Sequence, residues 1–512
     1  MVKRAGGALL PSIAIDHDSP RPIATQLYVA LRDLILGGAI ATGTRLPASR
    51  TLAHELCISR TTVIDAFERL IADGIIIARV GSGTSVSDAL DTGRPHHHAT
   101  EPSPGHPPPA PRLSQAMGWA VDRFSERSRL PYRPRAFITA LPAFDAFPMA
   151  HWSRIAAKHW RGSRDEVMGY GPPLGDARLR RAIAAHLGAN RGIACEIDQI
   201  FIVSGAQQAF LQIGTLLLNP GDPVWFENPG AIGARNSLLA CGARLVPVPV
   251  DNEGLQVAEG LRRSQHFRLA FVTPSHQQPL GHIMSLERRL ALLRSAEQAG
   301  AWIIEDDYDG EFCFGRRPLS TLKSVDRSGS VMYVGTFSKS LFPALRLGFM
   351  VVPPSLVDPL AKISAAFSAG VPSSVQATVA EFIEEGHFAT HIRRMRRIYE
   401  ERHTALCEAA GRELAGLLDI ARTDSGLHTV GYLPQFLSEI AVVQAAGERG
   451  IVVSPVARFS IEATPVNGLV LGFGGIPPHE IRSGIGVLAE VLQDLAAAAT
   501  RSRGRRNGMA ES

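Results

Sequence analysis

Residues 331–349 read VMYVGTFSKSLFPALRLGF, in which a single lysine, Lys339, follows an apolar run and stands between two serines. The apolar run predicts a buried β-strand. Similar short runs alternate with helical patterns along the chain: QIFIVSG, DPVWFEN, ARLVPVPV, RLAFVTP, AWIIEDDYD and FMVVP. Strands that alternate with helices predict an α/β domain with a mostly parallel sheet and helices on both faces.

Polar residues follow several of these strands, and open α/β sheets bind ligands just past the carboxyl ends of their strands. The turn SGAQQ at 204–208 opens a helix, whose N-terminal N–H groups can bind a phosphate. The acidic run EDDYD at 305–309 follows another strand. Because side chains alternate along a strand, Asp306 and Tyr308 are predicted to share one face and Asp307 the other. A metal site is the alternative use of these acids.

Lys339 and Arg346 are predicted to lie near both of these segments. A lysine close to phosphate donors and to a carboxylate that can meet a pyridine nitrogen is the residue set that binds pyridoxal 5′-phosphate (PLP). Burial lowers the pKa of a lysine, so that its amine can form a Schiff base. An ion pair between Lys339 and one of the acids, with a purely structural role, is the alternative.

The first part of the chain has a different pattern, in which three helical stripes are followed by a hairpin. The third helix is predicted to begin after Ser59, a favourable N-cap, and to bury Val63, Ala66, Phe67 and Leu70. The run IIIARVGSGTSV then predicts two short strands. Such a winged helix directs the start of its third helix at base edges, while the hairpin contacts phosphates. DNA binding is therefore predicted, with a purely structural module as the alternative.

Composition divides the 512-residue chain into four parts. Residues 20–87 are predicted to form the winged helix, the proline-rich 88–134 an extended linker, 135–495 the α/β domain, and the basic 496–512 a disordered tail. The five cysteines have neither disulfide nor metal-site spacing, so no metal is predicted. No signal peptide or membrane span is predicted, which indicates a cytoplasmic protein.

Taken together, these motifs resemble a known family. The run LPASRTLAHELCISRTTVIDAFERLIADGIIIARVGSGTSV resembles the winged helix of GntR-type bacterial regulators, while YVGTFSKSLFPALRLG, EDDYDGEF and TPSHQQPLGHIMSLERRLALL resemble fold-type I aminotransferases. From about Ile23 to Leu492, apart from the linker, their order is similar to that in MocR/GabR transcription regulators. The resemblance implies a PLP-binding, aminotransferase-like domain and a head-to-tail homodimer that binds operator DNA with two half-sites.

The resemblance also implies roles for individual residues. Lys339 would hold PLP as a Schiff base, Asp306 would contact the pyridine nitrogen, and Tyr308 would contact the phenolic oxygen. The phosphate would be held by Ala206, Gln207, Thr336, Ser338 and Arg346. DNA would be contacted by Arg50, Ser59, Arg60, Thr61, Thr62 and Arg79.

Three positions depart from the family pattern, and one of them is Cys313, which stands where relatives more often carry arginine. Ala231 stands where the family carries an aromatic residue that could stack on the cofactor, and Val470 stands where aminotransferases carry an arginine for the substrate carboxylate. An arginine binds a carboxylate with two parallel hydrogen bonds, so its loss weakens the case for an amino acid effector and for efficient transamination. Arg235 or an arginine of a second subunit is a candidate substitute.

Two functional hypotheses follow. The first is a DNA-binding transcription regulator in which PLP on Lys339 serves to sense an amine-bearing effector, or in which PLP itself is sensed, with weak or vestigial transaminase activity. The second is a working PLP-dependent aminotransferase with a tethered DNA-binding domain, because Asp306, Tyr308 and Lys339 are all present.

Overall fold

The computed structural model describes residues 13–79, 83–90, 114–125, 134–162, 164–314, 320–368 and 370–510. The chain divides into two compact units, Met1–Arg112 and Leu113–Ser512. Residues 91–113 and 126–133 of the predicted linker lie outside the described residues, as do residues 80–82 of the predicted hairpin turn.

The first unit is a three-helix bundle with a hairpin. Its elements are α1 (Ile23–Leu36), α2 (Ser49–Glu55), α3 (Arg60–Ala72), β1 (Ile76–Arg79) and β2 (Gly83–Val86). The two strands are antiparallel. Its core is formed by apolar side chains spaced three and four apart on the helices and by the hairpin, among them Leu27, Leu31, Leu52, Val63, Phe67, Leu70, Ile76 and Val86. The predicted buried face of the third helix is confirmed.

The second unit contains the remaining helices and strands. The helices are α4 (Gln115–Val121), α5 (Met149–Trp160), α6 (Arg164–Met168), α7 (Ala177–Arg191), α8 (Ala206–Leu217), α9 (Ile232–Ala240), α10 (Val257–Arg263), α11 (Leu286–Ala299), α12 (Leu322–Val325), α13 (Phe337–Ser340), α14 (Val357–Phe367), α15 (Ser373–Glu384), α16 (His387–Glu413), α17 (Glu439–Glu448) and α18 (Pro478–Ala510). The strands are β3 (Ile200–Val203), β4 (Pro223–Asn228), β5 (Arg244–Asp251), β6 (Gly254–Leu255), β7 (Leu269–Val272), β8 (Trp302–Asp307), β9 (Val331–Thr336), β10 (Gly348–Val351), β11 (Asp419–Ile420), β12 (His428–Tyr432), β13 (Ser454–Pro455) and β14 (Gly468–Gly472). None of the helices within the described ranges is both long and apolar enough to cross a membrane.

The main sheet has eight strands in the order β3-β10-β9-β8-β7-β4-β5-β6. The run from β9 to β5 is parallel, β10 is antiparallel to both of its neighbours, and β6 is antiparallel to β5. The predicted mostly parallel sheet is therefore confirmed. Because β3, β8 and β9 point the same way, the segments that follow them meet at one edge of the sheet.

Helices cover both faces of this sheet, as the sequence predicts. On one face, Phe226, Phe271 and Ile304 pack with Phe210 and Ile213 of α8. On the other, side chains of the same strands, such as Trp225 and Ile303, pack with Leu292 and Leu293 of α11. The alternation of buried side chains to both faces explains why these strands read as continuous apolar runs.

A second, antiparallel sheet has the order β11-β12-β14-β13. Its strands follow the long helix α16, and β12 pairs with β14 along five residues, from His428 opposite Gly472 to Tyr432 opposite Gly468. No part of this sheet is predicted from the sequence. It supplies one wall of the site below.

The structure differs from the sequence prediction at both ends of the large unit. Helix α4 lies within the segment predicted to be an extended linker, and Ser114 caps it by accepting a hydrogen bond from the Met117 N–H at 3.2 Å. Helix α18 continues to Ala510, into the predicted disordered tail, because the alanines 496–499 are strong helix formers.

Candidate functional site

A cavity of about 230 Å³ lies at the edge of the main sheet where β3, β8 and β9 end. All eight residues predicted to bind a cofactor line it: Ala206, Gln207, Asp306, Tyr308, Thr336, Ser338, Lys339 and Arg346. Seven of them lie at or just beyond the carboxyl ends of β3, β8 and β9, which meet at this edge because these strands point the same way. Arg346 immediately precedes β10, which is antiparallel and therefore begins at the same edge.

One end of the cavity is built to receive an anion. Helix α8 begins after Gly205, whose φ of +96° favours glycine, and no side chain of the described residues caps this helix. The Arg346 guanidinium stands beside it and donates to the Ser204 carbonyl at 3.0 Å. Thr336 Oγ1 accepts the Ser338 N–H at 3.2 Å and so begins the short helix α13. A helix N-terminus, hydroxyls and an arginine together suit a phosphate group.

Lys339 lies on α13 and is half-buried beside this end of the cavity. Its Nζ donates a hydrogen bond to the Ala140 carbonyl at 2.8 Å. Ala140 has a φ of +69°, an unusual conformation for a residue with a side chain. The lysine therefore donates to a backbone group at the cavity, and its charge also acts on Asp306, where it lowers the pKa of that acid against the larger effect of burial.

The two adjacent aspartates of β8 have opposite surroundings. Asp307 accepts hydrogen bonds from the buried Arg191 and, at 2.6 Å, from the Tyr333 hydroxyl. Asp306 lines the cavity, and its buried Oδ1 has no hydrogen-bond partner among the residues the structure describes. Burial, and secondarily the charges of Asp307, Asp309 and Glu227, raise the pKa of Asp306 well above its usual value. A cationic group in the cavity would relieve this cost.

Tyr308 belongs to a cluster of polar side chains that the sequence analysis missed. Its hydroxyl lies 3.1 Å from His276 Nδ1, which is also 2.9 Å from Asp309 Oδ2. His428 stacks near both rings, and burial lowers its pKa to about 3. His276 follows β7, so it could have been predicted from the tendency of such sheets to bind ligands just past the carboxyl ends of their strands. His428 begins β12 in the second sheet and gave no such signal.

This cluster also bears on the metal alternative. Ligand atoms of His276, Asp309 and His428 lie within 4.8 Å of one another. However, the hydrogen bonds of the cluster already engage His276 Nδ1, and His428 Nε2 lies 3.1 Å from the Pro279 carbonyl. His276 Nε2 and Asp309 Oδ1 have no hydrogen-bond partner among the described residues, so the hydrogen bonds engage only part of this group.

Two of the three departures from the family pattern lie in the cavity wall. Ala231 and Val470 both line the cavity, and Val470 is buried with Ile232, Val430, Val456 and Phe459. Arg235, a candidate substitute for the missing arginine, donates to the Ser460 and Arg458 carbonyls at 3.0 and 3.2 Å and also contacts Ser125. Its guanidinium is thus committed to the protein itself. Arg458, which the sequence analysis did not single out, lines the same cavity as Val470.

The predicted DNA-contacting residues all lie on the winged helix. Arg50, Ser59, Arg60, Thr61 and Arg79 are exposed, and Thr62 is half-buried. Ser59 Oγ accepts the Thr62 N–H at 3.1 Å, and the Thr62 hydroxyl lies 2.8 Å from the same oxygen. Ser59 and Thr62 therefore shape the start of α3. Arg60, Thr61 and, from α2, Arg50 present exposed donors at this end, although Arg60 Nε also donates to Ser49 Oγ at 3.5 Å.

Comparison with known proteins agrees with both units. The family model for aminotransferase class I and II matches residues 143–467, and that for bacterial regulatory proteins of the gntR family matches residues 23–86.

Named relatives match along nearly the whole chain. It is 40% identical over 486 residues to the probable rhizopine catabolism regulatory protein MocR of Rhizobium meliloti, covering 93% of this chain and 95% of the relative. It is 30% identical over 490 residues to the HTH-type pyridoxine biosynthesis transcriptional regulator PdxR of Corynebacterium glutamicum, covering 94% and 97%.

A solved structure resembles the large unit alone. The α-aminoadipate aminotransferase LysN of Thermus thermophilus, solved in complex with N-(5′-phosphopyridoxyl)-L-leucine, has a TM-score of 0.68 and 28% identity, over 75% of this chain and 98% of that one. The chain therefore belongs to the MocR/GabR family of regulators, in which a GntR-type winged helix is joined to a domain with the fold of class I and II aminotransferases.

Proposed function

We propose that this regulator binds PLP through Lys339 and uses the filled cavity to control its affinity for operator DNA. The observation that carries the proposal is Asp306, a buried acid that lines the cavity and whose Oδ1 has no hydrogen-bond partner among the described residues. A buried unpaired carboxylate is costly. The protonated ring nitrogen of PLP is a partner that this position can accommodate.

The other residues of the cavity fit the remaining parts of the same cofactor. Arg346, Thr336 and Ser338, with the start of α8 at Ala206 and Gln207, would hold the phosphate. Tyr308 would meet the phenolic oxygen. Bound there, PLP supplies an aldehyde carbon that reacts with primary amines. The amine of Lys339, held at the cavity by the Ala140 carbonyl, is the residue that would bind this carbon.

The effector is an amine-bearing small molecule or PLP itself. Either can act only if it binds two arrangements of the protein with different affinities. Val470 leaves the cavity without the arginine that binds a carboxylate in related enzymes, which argues against recognition of an amino acid in the familiar way. Two copies of the chain, arranged head to tail, would place two winged helices on an operator with two half-sites.

Active transamination is the second candidate, and the presence of Asp306, Tyr308 and Lys339 in one cavity favours it. The missing carboxylate partner opposes it, because a poorly oriented substrate loses much of the available rate. We therefore expect at most weak transaminase activity.

Binding to DNA from the protein's own upstream intergenic region tests the proposal. The purified full chain would be compared with and without PLP, against a random fragment of equal length at fixed salt, because phosphate contacts depend strongly on salt. A preference for the upstream fragment that changes with PLP is expected. Equal affinity for both fragments in both states would contradict the regulatory proposal and favour the enzyme.

A further inference from the structure

Tyr308 takes part in a buried chain of three side chains. His276 Nδ1 lies 2.9 Å from Asp309 Oδ2 and 3.1 Å from the Tyr308 hydroxyl oxygen. The side chains of His276 and Asp309 are 0% and 1% exposed. A carboxylate can only accept hydrogen bonds, so Nδ1 must carry the proton that joins His276 to Asp309. Asp309 thereby fixes the tautomer of His276.

This tautomer also determines what the Tyr308 hydroxyl can do. The Nδ1–H of His276 faces the phenol oxygen as well as the carboxylate, so the phenol oxygen is an acceptor on that side. The tyrosine's own O–H must then be directed elsewhere, and Tyr308 lines the cavity together with Asp306 and Lys339. We propose that Asp309 and His276 are positioning residues that hold Tyr308 as a hydrogen-bond donor into the cavity.

The backbone around the cluster is shaped for these contacts. A Cβ at Gly426, which has a φ of +82°, would collide with the His276 ring and lie 2.8 Å from Asp309 Oδ2. A Cβ at Gly281, with a φ of +76°, would lie 3.1 Å from His276 Nε2. His276 Nε2 and Asp309 Oδ1 are also buried without partners among the described residues. Each buried polar atom without a partner costs free energy, and apolar side chains at these two positions would avoid that cost. The presence of the pair despite this cost is consistent with a role beyond packing.

The neighbouring groups do not offer Tyr308 another hydrogen bond among the residues that the structure describes. His428 is 4.8 Å from His276 between ring centroids, and its Nε2 lies 3.1 Å from the Pro279 carbonyl, which requires a proton on that nitrogen. The charged and titratable groups around Tyr308 and Lys339 are Asp306, Asp307 and Asp309 after β8, Glu227 of β4, His276 after β7, His428 of β12, and Arg346 and Arg458 in the cavity wall.

The inference rests on the proposed binding of PLP and concerns how Tyr308 acts there. A hydrogen bond from Tyr308 to the phenolic oxygen would draw negative charge away from the neighbourhood of Lys339 Nζ. The proton on that nitrogen would be held less tightly. Loss of the donor should therefore raise the pH at which Lys339 Nζ loses its proton in the PLP-loaded protein.

The test is a pH titration of visible absorbance for the PLP-loaded full chain and its variants. Tyr308→Phe is expected to raise the midpoint by about one pH unit, as for loss of one hydrogen bond to a charged form. Asp309→Asn and His276→Asn are expected to shift the midpoint in the same direction by less. In the Tyr308→Phe background, Asp309→Asn should add nothing.

The variants include their own controls. Glu305→Gln changes a buried acid on the other side of β8, whose carboxylate accepts the Leu322 and Lys323 N–H groups, and should leave the midpoint unchanged. If Asp309→Asn destabilises the fold, His276→Asn tests the same series of hydrogen bonds from Asp309 through His276 to Tyr308. An unchanged midpoint in both single variants, or shifts that add to that of Tyr308→Phe, would overturn the positioning role. Absence of any visible band in the unmodified protein with PLP would instead overturn the proposed function, and this inference with it.

Discussion

Asp306 and Asp307 are consecutive residues of one strand, yet Asp307 is paired with a buried arginine while Asp306 lines the cavity. Asp307 Oδ2 accepts hydrogen bonds from Arg191 and Tyr333, whereas Asp306 carries a buried Oδ1 at the cavity that has no hydrogen-bond partner among the described residues. Asp307 Oδ1 also has no such partner, so the two acids differ in what their other oxygen and their charge meet. The alternation of a β-strand is sufficient to separate them. The protein thus carries a buried acid without an arginine partner where a ligand is expected, and one paired with Arg191 immediately beside it.

Substitution of Asp306 by asparagine should stabilise the PLP-free protein and weaken PLP binding. Relief of a buried unpaired acid is expected to add about 1–3 kcal/mol to the free energy of unfolding at neutral pH. Burial raises the pKa of Asp306 in the folded protein, so the ionised acid destabilises the fold at pH values above its pKa in the unfolded chain. The stability gained by the asparagine variant should therefore shrink as the pH falls and the acid becomes protonated. Thermal unfolding with and without PLP measures both effects.

Asp307→Asn is the matched control, because it breaks a buried pair with Arg191. It should lower the free energy of unfolding by about 3–5 kcal/mol. Equal behaviour of the two variants would contradict the assignment of opposite roles.

Substitution of Lys339 by alanine should abolish covalent attachment of PLP. Borohydride reduction of the loaded protein followed by mass spectrometry of its peptides is expected to find the cofactor on the peptide containing Lys339, and on none in the variant. Lys362→Ala, which removes an exposed lysine of α14, is the control and should retain the label. Label elsewhere in the unmodified protein would show that Lys339 is not the anchor.

Substitution of Arg60 by alanine should weaken binding to the upstream DNA fragment and leave the cavity unaffected. Loss of one base-edge contact costs about 1–3 kcal/mol, or roughly a 10–100-fold rise in Kd. Arg69→Ala is the control on the same helix, since Arg69 lies at its other end and pairs with Asp65. Fluorescence anisotropy at fixed salt measures the affinity for DNA. The visible absorbance of the PLP-loaded variant, if unchanged, shows that PLP still binds in the cavity. A variant that lost transamination but kept its DNA affinity would reverse the proposed roles of the two units.

His428 should make the protein less stable as the pH falls below neutrality. Burial lowers its pKa to about 3 from 6.5, so the unfolded chain binds the proton more readily. Its contribution is complete above pH 6.5 and is lost as the pH falls from 6.5 toward 3, by up to about 1.4 kcal/mol per pH unit. Urea unfolding between about pH 7 and 5 should therefore show a shallower pH dependence for His428→Gln. His479→Gln, at an exposed position, should follow the unmodified protein.

Substitution of Val470 by arginine should destabilise the empty protein and change which amines it binds. Val470 is 1% exposed and is packed among apolar side chains, so a guanidinium there costs about 2–5 kcal/mol. The variant is expected to gain thermal stability from 4-aminobutanoate more than from butylamine, which has no carboxylate. If the unmodified protein is already stabilised more by 4-aminobutanoate than by butylamine, another group in the cavity, such as Arg458, binds the carboxylate.

The elements that could be predicted are those in which local pattern and burial agree. The strands of the main sheet are short apolar runs, and Asp306, Thr336 and Lys339 lie directly at or after strand ends, where the sequence predicts a site. The same rule extends to His276 after β7. His428 and Arg458 reach the cavity from the second sheet and the turn after β13, far beyond Lys339 in the chain. Only tertiary packing brings them there, so no local pattern reveals them.

The failures at the two ends of the large unit have a physical reason as well. Proline density indicates an extended linker, but residues 112–130 contain no proline, and Ser114 begins a helix there. The basic residues after position 500 suggested disorder, while the preceding alanines favour helix strongly enough for α18 to continue. In both cases one structural state was predicted for a whole segment from its overall composition, although the composition changes within the segment.

The hydrogen bond between Lys339 Nζ and the Ala140 carbonyl has one further consequence. An ammonium group carries three N–H donors, whereas a nitrogen joined to carbon by a double bond keeps at most one. Capture of Lys339 by a ligand and anchoring of Ala140 therefore compete for the same protons. Ala140 lies only a few residues after the predicted linker. A covalent change at Lys339 would therefore alter the hydrogen bond of a backbone carbonyl that lies shortly after the predicted linker, the segment that joins the large unit to the winged helix along the sequence.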